Sequence, residues 1–198
     1  GTTAEVGSMG RTLPTYLRNV PRADQLSSID TNKWTLVCVE QGIGDQVLFL
    51  SAMQEFIDEF KKVIFVCEAR MQPIIHRAFP DLQLASPGLI EAWREAPLAT
   101  NGFVPLGSIL ARYRSTTQSF IENRRAFLQV NGDMYHHYRN MLLDVSKGRP
   151  IVGISWKGGF WESQKRNKAL EISEWLPIFE RGALCVNLQY GNTKEEEC

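Results

Sequence analysis

The chain has 198 residues, of which 43% are hydrophobic and 22% are charged, as is typical of a globular protein with one good core. Its 22 basic and 22 acidic residues cancel, so the composition gives no electrostatic reason to expect binding to nucleic acid or to an anionic membrane surface. No apolar run reaches the length of about 18 residues that a membrane span needs, and no signal peptide is visible.

The cysteines and the three histidines show none of the spacings that bind metals, so no metal is expected. Three cysteines lie in predicted strands and the fourth ends the chain: Cys38, Cys67, Cys185 and Cys198. Buried free thiols of this kind are typical of a reducing compartment. The sequence therefore predicts a cytoplasmic protein.

The first ordered element is predicted after a lead-in or linker at residues 1–30, which has little to bury. Residues 36–39 form an unbroken apolar run, typical of a strand that is buried on both faces. Gly42 and Gly44 follow; we expect them to turn the chain sharply and to leave no side chain in the way of a ligand. An amphipathic helical pattern then runs to Phe60. Strand, glycine turn and helix N-terminus form the geometry in which α/β proteins place ligands.

This glycine loop differs from the common phosphate-binding loops. A dinucleotide-binding loop would have Gly or Ala at the position of Val47, and the Gly-Lys-Ser/Thr of a P-loop is absent. The loop instead presents Asp45, whose carboxylate the helix end would keep ionised, as suits a general base. The alternative is that Asp45 only caps the helix.

Further apolar strands are predicted at residues 63–67, 82–85 and 103–105, separated by helical patterns. Such an alternation predicts an α/β fold, a Rossmann-like parallel sheet with flanking helices. The helix that follows the last of these strands opens at Gly107 and Ser108, beside the expected position of the Gly42 turn. Gly107 and Ser108 would either offer their N–H groups to a ligand there or form only the start of a helix.

The next part of the chain is more polar. The arginines at positions 112, 114, 124 and 125 predict either a solvated basic face or a site for an anionic acceptor. A helix is then predicted from Asp133 to about Lys147. Five of its apolar residues are expected to be buried: Tyr135, Tyr138, Met141, Leu142 and Val145.

A domain boundary is predicted at 148–149, where Gly148 and Pro150 end that helix. Residues 31–148 would then form the Rossmann-like domain, and residues 149–198 the start of a second βαβ domain with strands at 151–155 and 184–188. Two strands and one helix bury little core. The second unit is therefore expected to open a larger domain, or to pack on the first domain or on a second copy of the chain.

Five ordered motifs resemble one known family. They are EQGIGDQ (40–46), VPLGSI (104–109), IVGISWKGG (151–159), KALEISEW (168–175) and NLQYG (187–191). Together they resemble the glycosyltransferase-like domain that follows tetratricopeptide repeats in many bacterial proteins. That domain is similar to the heptosyltransferases and, more distantly, to the O-linked N-acetylglucosamine transferases, all of two-domain GT-B architecture. The resemblance covers about residues 34–196.

The resemblance implies transfer of a sugar from a nucleotide-diphosphate sugar, which is a substrate and not a cofactor, to an acceptor hydroxyl on a glycan, a lipid-linked molecule or a protein. Asp45 would be the catalytic base, and the residues near it would bind substrate: Gln41, Gly42, Gly44, Gly107 and Ser108. Four residues of the second unit would bind the donor phosphates without a metal: Lys157, Arg166, Lys168 and Gln189.

Family members continue well beyond the NLQYG motif into the part that holds the nucleotide, so this chain alone is expected to bind a donor weakly and to be inactive.

Two alternatives to a glycosyltransferase remain. A non-catalytic binding or assembly module, with a homodimer through the second unit, is the first alternative. The second is a nucleotide-dependent oxidoreductase or methyltransferase, which Val47 disfavours, although Glu68 occupies the place of a ribose-binding acid.

Overall fold

The computed structural model describes residues 22, 29–40, 42–92, 100–156 and 170–189. These residues fall into two compact units, the first ending at Gln129 and the second beginning at Val130. The boundary predicted at 148–149 lies inside the second unit.

The first unit contains four strands and six α-helices within its described ranges. They are β1 (Trp34–Cys38), α1 (Ile43–Phe49), α2 (Met53–Phe60), β2 (Val63–Val66), α3 (Gln72–Ala78), β3 (Gln83–Ala85), α4 (Pro87–Ala92), β4 (Thr100–Pro105), α5 (Leu106–Tyr113) and α6 (Thr117–Glu122). A 3₁₀ turn at Leu50–Ala52 joins α1 to α2.

The four strands form one parallel sheet in the order β3-β2-β1-β4. The chain steps from β1 to β2 to β3 in one direction, and β4 then lies on the other side of β1. The predicted α/β fold, a Rossmann-like parallel sheet with flanking helices, is confirmed.

Both faces of the sheet are covered, because alternate residues of each strand point to opposite sides. Val37, Phe65 and Val104 face a core with buried residues of α2, α3 and α5. Leu36 and Ile64 face the other way, into a smaller core that includes Ile90 of α4. The continuous apolar strands follow from this double burial.

A β-bulge at Asn101 fixes the amino end of β4. Trp34 pairs with Thr100 but Thr35 pairs with Gly102, so Asn101 is the extra residue, and Gly102 takes a φ of 104° that favours glycine. The Asn101 side chain turns back: its Oδ1 accepts from Asp30 N at 3.0 Å, and its Nδ2 donates to Asp30 O at 2.9 Å and to Thr35 Oγ1 at 3.1 Å. The bulge thereby ties the start of β1 to β4.

Ion pairs join α5 to α2. The side chain of Arg114 is only 3% exposed, and its Nη2 lies 2.6 Å from Glu55 Oε1 and donates to Ser51 O at 2.9 Å. Arg112 pairs with Glu59 at 2.5 Å, and the Tyr113 hydroxyl also donates to Glu59. Arg114 therefore belongs neither to a solvated basic face nor to an anion site, and both predictions are wrong for it. Its charge is neutralised inside the unit.

The second unit contains α7 (Gly132–Ser146), β5 (Ile151–Ile154), a 3₁₀ turn at Ile172–Trp175, α8 (Leu176–Phe179) and β6 (Leu184–Asn187). Strands β5 and β6 pair in parallel, which confirms the predicted βαβ unit. The helix predicted at 133–147 is present as α7. Its predicted burial is wrong for four residues that are exposed: Tyr135, Tyr138, Met141 and Val145. Across the described ranges of the chain, no helix is both long and apolar enough to cross a membrane.

Replacing Asn101 with alanine is expected to lower the free energy of unfolding of the first unit by about 2–3 kcal/mol, because the backbone of Asp30 and the buried Thr35 lose their partner. Urea unfolding monitored by circular dichroism measures the change in unfolding free energy. Asn140→Ala, at an exposed position of α7, is the control and is expected to change stability by less than about 0.5 kcal/mol. Equal stability of the two variants would contradict a role for the bulge side chain.

Candidate functional site

The order of the strands identifies the carboxyl ends of β1 and β4 as the place for a ligand. The chain leaves β1 toward β2 on one side, and β4 returns on the other side, so the strand order reverses between β1 and β4. In open parallel sheets, ligands bind outside the carboxyl ends of the strands at this reversal. Cys38 and Pro105 are paired at these ends, and α1 and α5 begin shortly beyond them. The predicted proximity of the Gly42 turn to Gly107 and Ser108 follows from this pairing.

Asp45 lies on α1, in the first turn, with its side chain exposed. The N-cap of α1 is Gly42, and the Gln46 N–H donates to Gly42 O at 3.0 Å. Asp45 is therefore the third helical residue, and the interpretation of Asp45 as the N-cap is wrong. A carboxylate in the first turn still gains from the partial positive charge of the helix end. The structure leaves the Asp45 carboxylate at the surface, at the strand-order reversal.

The fold does not require glycine at positions 42 and 44. Gly42 has a φ of −63°, which any residue adopts, and Gly44 lies within α1 without a positive φ. A Cβ atom built at either position would have no described atom within 4 Å beyond its own chain neighbours and helix backbone. The turn between β1 and α1 therefore does not need the conformational freedom of glycine at position 42. The expectation that both glycines leave space in front of the turn fits the geometry.

Gly107 has a different environment. A Cβ atom there would lie 3.2 Å from Glu40 Oε2 and 3.5 Å from Cε2 of Phe49. Gly107 thus allows the start of α5 to approach the end of β1 and α1 closely. Gly107 and Ser108 are the second and third residues of α5, whose N-cap is Pro105 and has no side-chain hydrogen bond. Their N–H groups are among the first four of the helix, which have no partner within it.

Glu40 is a site residue that sequence reasoning missed. The sequence assigned it no role of its own, yet its carboxylate lies beside Gly107, at the start of α5. Its position directly after β1 was the signal that could have identified it. The reversal point therefore holds two exposed carboxylate side chains, Glu40 and Asp45.

The thiols near this edge are poor nucleophiles. Burial raises the pKa of Cys38 well above its usual range, with a smaller contribution from the Glu40 charge. Burial, followed by the charge of Glu68, raises the pKa of Cys67 to about 11. Since the thiolate is the reactive form, both thiols are inert near neutral pH. Both are free and buried, as predicted.

In the second unit, Gln189 joins the carboxyl ends of β5 and β6. Its Oε1 accepts from Ser155 Oγ at 3.0 Å and from Trp156 N at 3.1 Å. The Leu170 N–H donates to Trp156 O at 2.8 Å, so residues on both sides of the segment 157–169 meet at this edge.

Several predicted site residues lie outside the described ranges, namely Gln41, Lys157, Arg166 and Lys168. Within those ranges, Gly42, Gly44, Asp45, Gly107 and Ser108 come together in the first unit, and Gln189 belongs to the second. The same ranges contain no group of three or more His, Cys, Asp or Glu side chains that could hold a metal ion.

Comparison with known proteins finds a similarity to a longer bacterial protein. The chain is 28% identical over 177 residues to Protein FlbA of Caulobacter vibrioides, an alignment that covers 83% of this chain and 29% of FlbA. The chain thus spans less than a third of the length of that relative. No protein-family model matches the chain, and no solved structure matches it significantly.

Gly44→Ala is expected to raise the free energy of unfolding by about 0.5–1 kcal/mol, because alanine favours the helix and its Cβ atom meets no neighbour. Gly88→Ala is the matched control, since Gly88 is the second residue of α4 and has equally open surroundings. Both variants are expected to show the same gain in urea unfolding. A loss of stability in Gly44→Ala alone would mean that the fold itself needs this glycine.

Proposed function

We propose that the chain is a glycosyltransferase-like protein of GT-B architecture, in which the first unit binds the acceptor and the second unit begins the donor-binding domain. The observation that carries the proposal concerns Gly42 and Gly44, which the fold does not need. They precede the exposed carboxylate of Asp45 at the strand-order reversal. Unoccupied space and a base are the two features that an acceptor hydroxyl requires. The proposed setting is the bacterial cytoplasm, in accord with the free buried thiols.

In the proposed reaction, the carboxylate of Asp45 takes the proton of the acceptor hydroxyl. The hydroxyl oxygen forms a bond to the anomeric carbon of the sugar as the bond from that carbon to the phosphate oxygen breaks. The nucleoside diphosphate leaves with the bonding electrons. General-base assistance of this kind typically contributes 10²–10⁴-fold to a rate. The exposed position of Asp45 allows an acceptor to reach it.

The leaving diphosphate needs positive charge or hydrogen-bond donors when no metal supplies them. The proposal assigns this role to Lys157, Arg166, Lys168 and Gln189. The described part of this region supports the assignment in one respect, because Gln189, Ser155 and Trp156 gather at the carboxyl edge of a parallel strand pair. That edge is where parallel sheets present their ligand-binding loops.

A nucleoside diphosphate is expected to stabilise the chain against heat. The diphosphates UDP, GDP and ADP and the monophosphate CMP, and then their sugar conjugates, would be compared by thermal unfolding. A ligand at a hundred times its dissociation constant stabilises by about 2.7 kcal/mol. Lys168→Ala is expected to abolish the shift, and Lys33→Ala, an exposed lysine of the first unit, is expected to leave it unchanged. A chain that responds to none of these nucleotides would favour a non-catalytic binding or assembly module.

In a protein that carries this chain together with a complete donor-binding domain, Asp45→Asn is expected to slow the release of nucleoside diphosphate at least 100-fold, measured with the nucleotide sugar that the thermal comparison identifies. The unfolding free energy should change by less than about 1 kcal/mol, since only an exposed first-turn charge is lost. Asp58→Asn, at an exposed position of α2, serves as the control.

Glu40→Gln separates the two carboxylates of the site. Full activity of Asp45→Asn together with loss of activity in Glu40→Gln would transfer the base role to Glu40. Full activity of both variants would refute a carboxylate base at this edge.

A further inference from the structure

Helices α1 and α2 would form one continuous helix if the local sequence alone decided their geometry. The residues between them, Leu50, Ser51 and Ala52, include neither proline nor glycine, and one amphipathic pattern runs through both helices. The structure instead has a 3₁₀ turn at Leu50–Ala52, and Ala52 has a φ of −108° and a ψ of 7°, which are not α-helical values. The reason for this interruption therefore lies outside the helix itself.

The interruption coincides with a hydrogen bond from a distant side chain. The hydrogen-bond ladder of α2 starts at its N-cap, Ala52, so the carbonyl of Ser51 lies before it. Arg114 Nη2 donates to Ser51 O at 2.9 Å. A side chain that inserts into the ladder is one of the few causes of a sharp break in a helix. The guanidinium of Arg114 therefore accounts for the joint between α1 and α2.

Arg114 is held at this joint by further contacts. Among the charged residues whose burial the structure describes, it alone is buried. Its Nη1 donates to Tyr113 O at 3.1 Å, and its Nη2 also lies 2.6 Å from Glu55 Oε1. A buried ion pair often adds little to stability, because apolar side chains of similar volume pack without the desolvation of charges. A role in fixing geometry explains this buried arginine better than a role in stability.

We propose that Arg114 is a positioning residue for Asp45, an inference that rests on the proposed role of Asp45 as base. Helix α5 contacts α1 at one end, where a Cβ atom at Gly107 would lie 3.5 Å from Cε2 of Phe49. At the other end, Arg114 directly follows α5 and binds the joint after α1. Phe49 lies one turn after Asp45, on the same side of α1. The two contacts of α5 therefore set the position of the Asp45 carboxylate at the strand-order reversal.

Two matched double variants test this role in the chain itself. The first, Arg114→Met with Glu55→Gln, removes the guanidinium from the joint. The second, Arg112→Met with Glu59→Gln, makes the same changes in the neighbouring ion pair, in which Arg112 Nη2 binds Glu59 and not the joint. Far-UV circular dichroism would verify that both variants fold.

The nuclear Overhauser effect between the Phe49 ring and the α-protons of Gly107 measures the position of α1. We expect it to lose at least about half of its intensity in the Arg114 variant, because Ser51 O can then rejoin the helix ladder and α1 changes direction. The Cα chemical shift of Ala52 is expected to move toward its α-helical value. The Arg112 variant should match the unmodified chain. Equal Overhauser intensities in all three proteins would overturn the proposal.

Arg114→Lys keeps the positive charge and is the second variant should the first fail to fold. The Glu55 side chain is 33% exposed and can follow the shorter ammonium, whereas Ser51 O belongs to the backbone and cannot. The Overhauser effect is therefore expected to weaken in this variant too. An unchanged intensity would mean that the ion pair alone is needed, and this result would also overturn the proposal.

Activity is compared in a protein that carries this chain together with a complete donor-binding domain. The Arg114 double variant is expected to lower kcat at least about tenfold, because a base misplaced by about 1 Å can cost 10²-fold, and to leave KM for the nucleotide sugar unchanged. The Arg112 double variant should keep its kcat. An unchanged kcat in the Arg114 variant, together with an inactive Asp45→Asn protein, would overturn the positioning role. Full activity of Asp45→Asn would instead overturn the proposed function, so the two failures are distinguishable.

Discussion

Strand β1 is the constraint on which the first unit depends. It pairs with β2 on one side and with β4 on the other, and its side chains point alternately into two separate cores. A strand buried on both faces must have other elements above and below it, so the helices that connect these strands are held close to the sheet. The end of β1 is consequently enclosed by neighbouring strands, and α1 begins beside the start of α5. The location of the candidate site is thus a consequence of the central place of β1.

The glycines divide into those that the fold needs and those that it does not. Gly102 adopts a positive φ at the bulge, and Gly107 lies against the Glu40 carboxylate, so the fold accounts for both. Gly42 and Gly44 have ordinary backbone angles and open surroundings. Glycine within a helix lowers its stability by about 0.5–1 kcal/mol relative to alanine. Gly44 therefore destabilises α1, although the fold does not require glycine there. Such a cost is expected where a ligand must approach the backbone.

Much of the first unit could be predicted from the sequence because its strands are short, continuous apolar runs separated by helical patterns. The parallel sheet and the neighbouring positions of the Gly42 turn and Gly107 both follow from that alternation. Side-chain roles were harder to predict. Asp45 has the residue type of an N-cap, but the helix begins two residues earlier, at Ile43. Arg114 belongs to a basic run, yet it is neutralised by Glu55, 59 positions away in sequence, a pairing that only the fold creates.

The burial of α7 shows a different limit. The periodicity of a helix indicates that an apolar face will be covered but contains no information on what covers it. Tyr138 and Met141 were expected in a core, and the structure instead leaves them at the surface. The local pattern was therefore correct and the partner was not specified.

In the second unit, hydrogen bonds position the edge that is proposed to bind the donor phosphates. Its two strands leave Ile151 and Val152 partly exposed, and a strand pair of this size is marginal by itself. Gln189 nevertheless holds the carboxyl ends of both strands together through Ser155 and Trp156. The edge proposed for the donor phosphates is thus positioned by hydrogen bonds within a unit whose described residues bury little apolar surface. Elements of low stability gain most in order when a ligand binds. Any ligand of this edge would therefore also stabilise the fold of the second unit, which is why unfolding is a suitable measure of binding there.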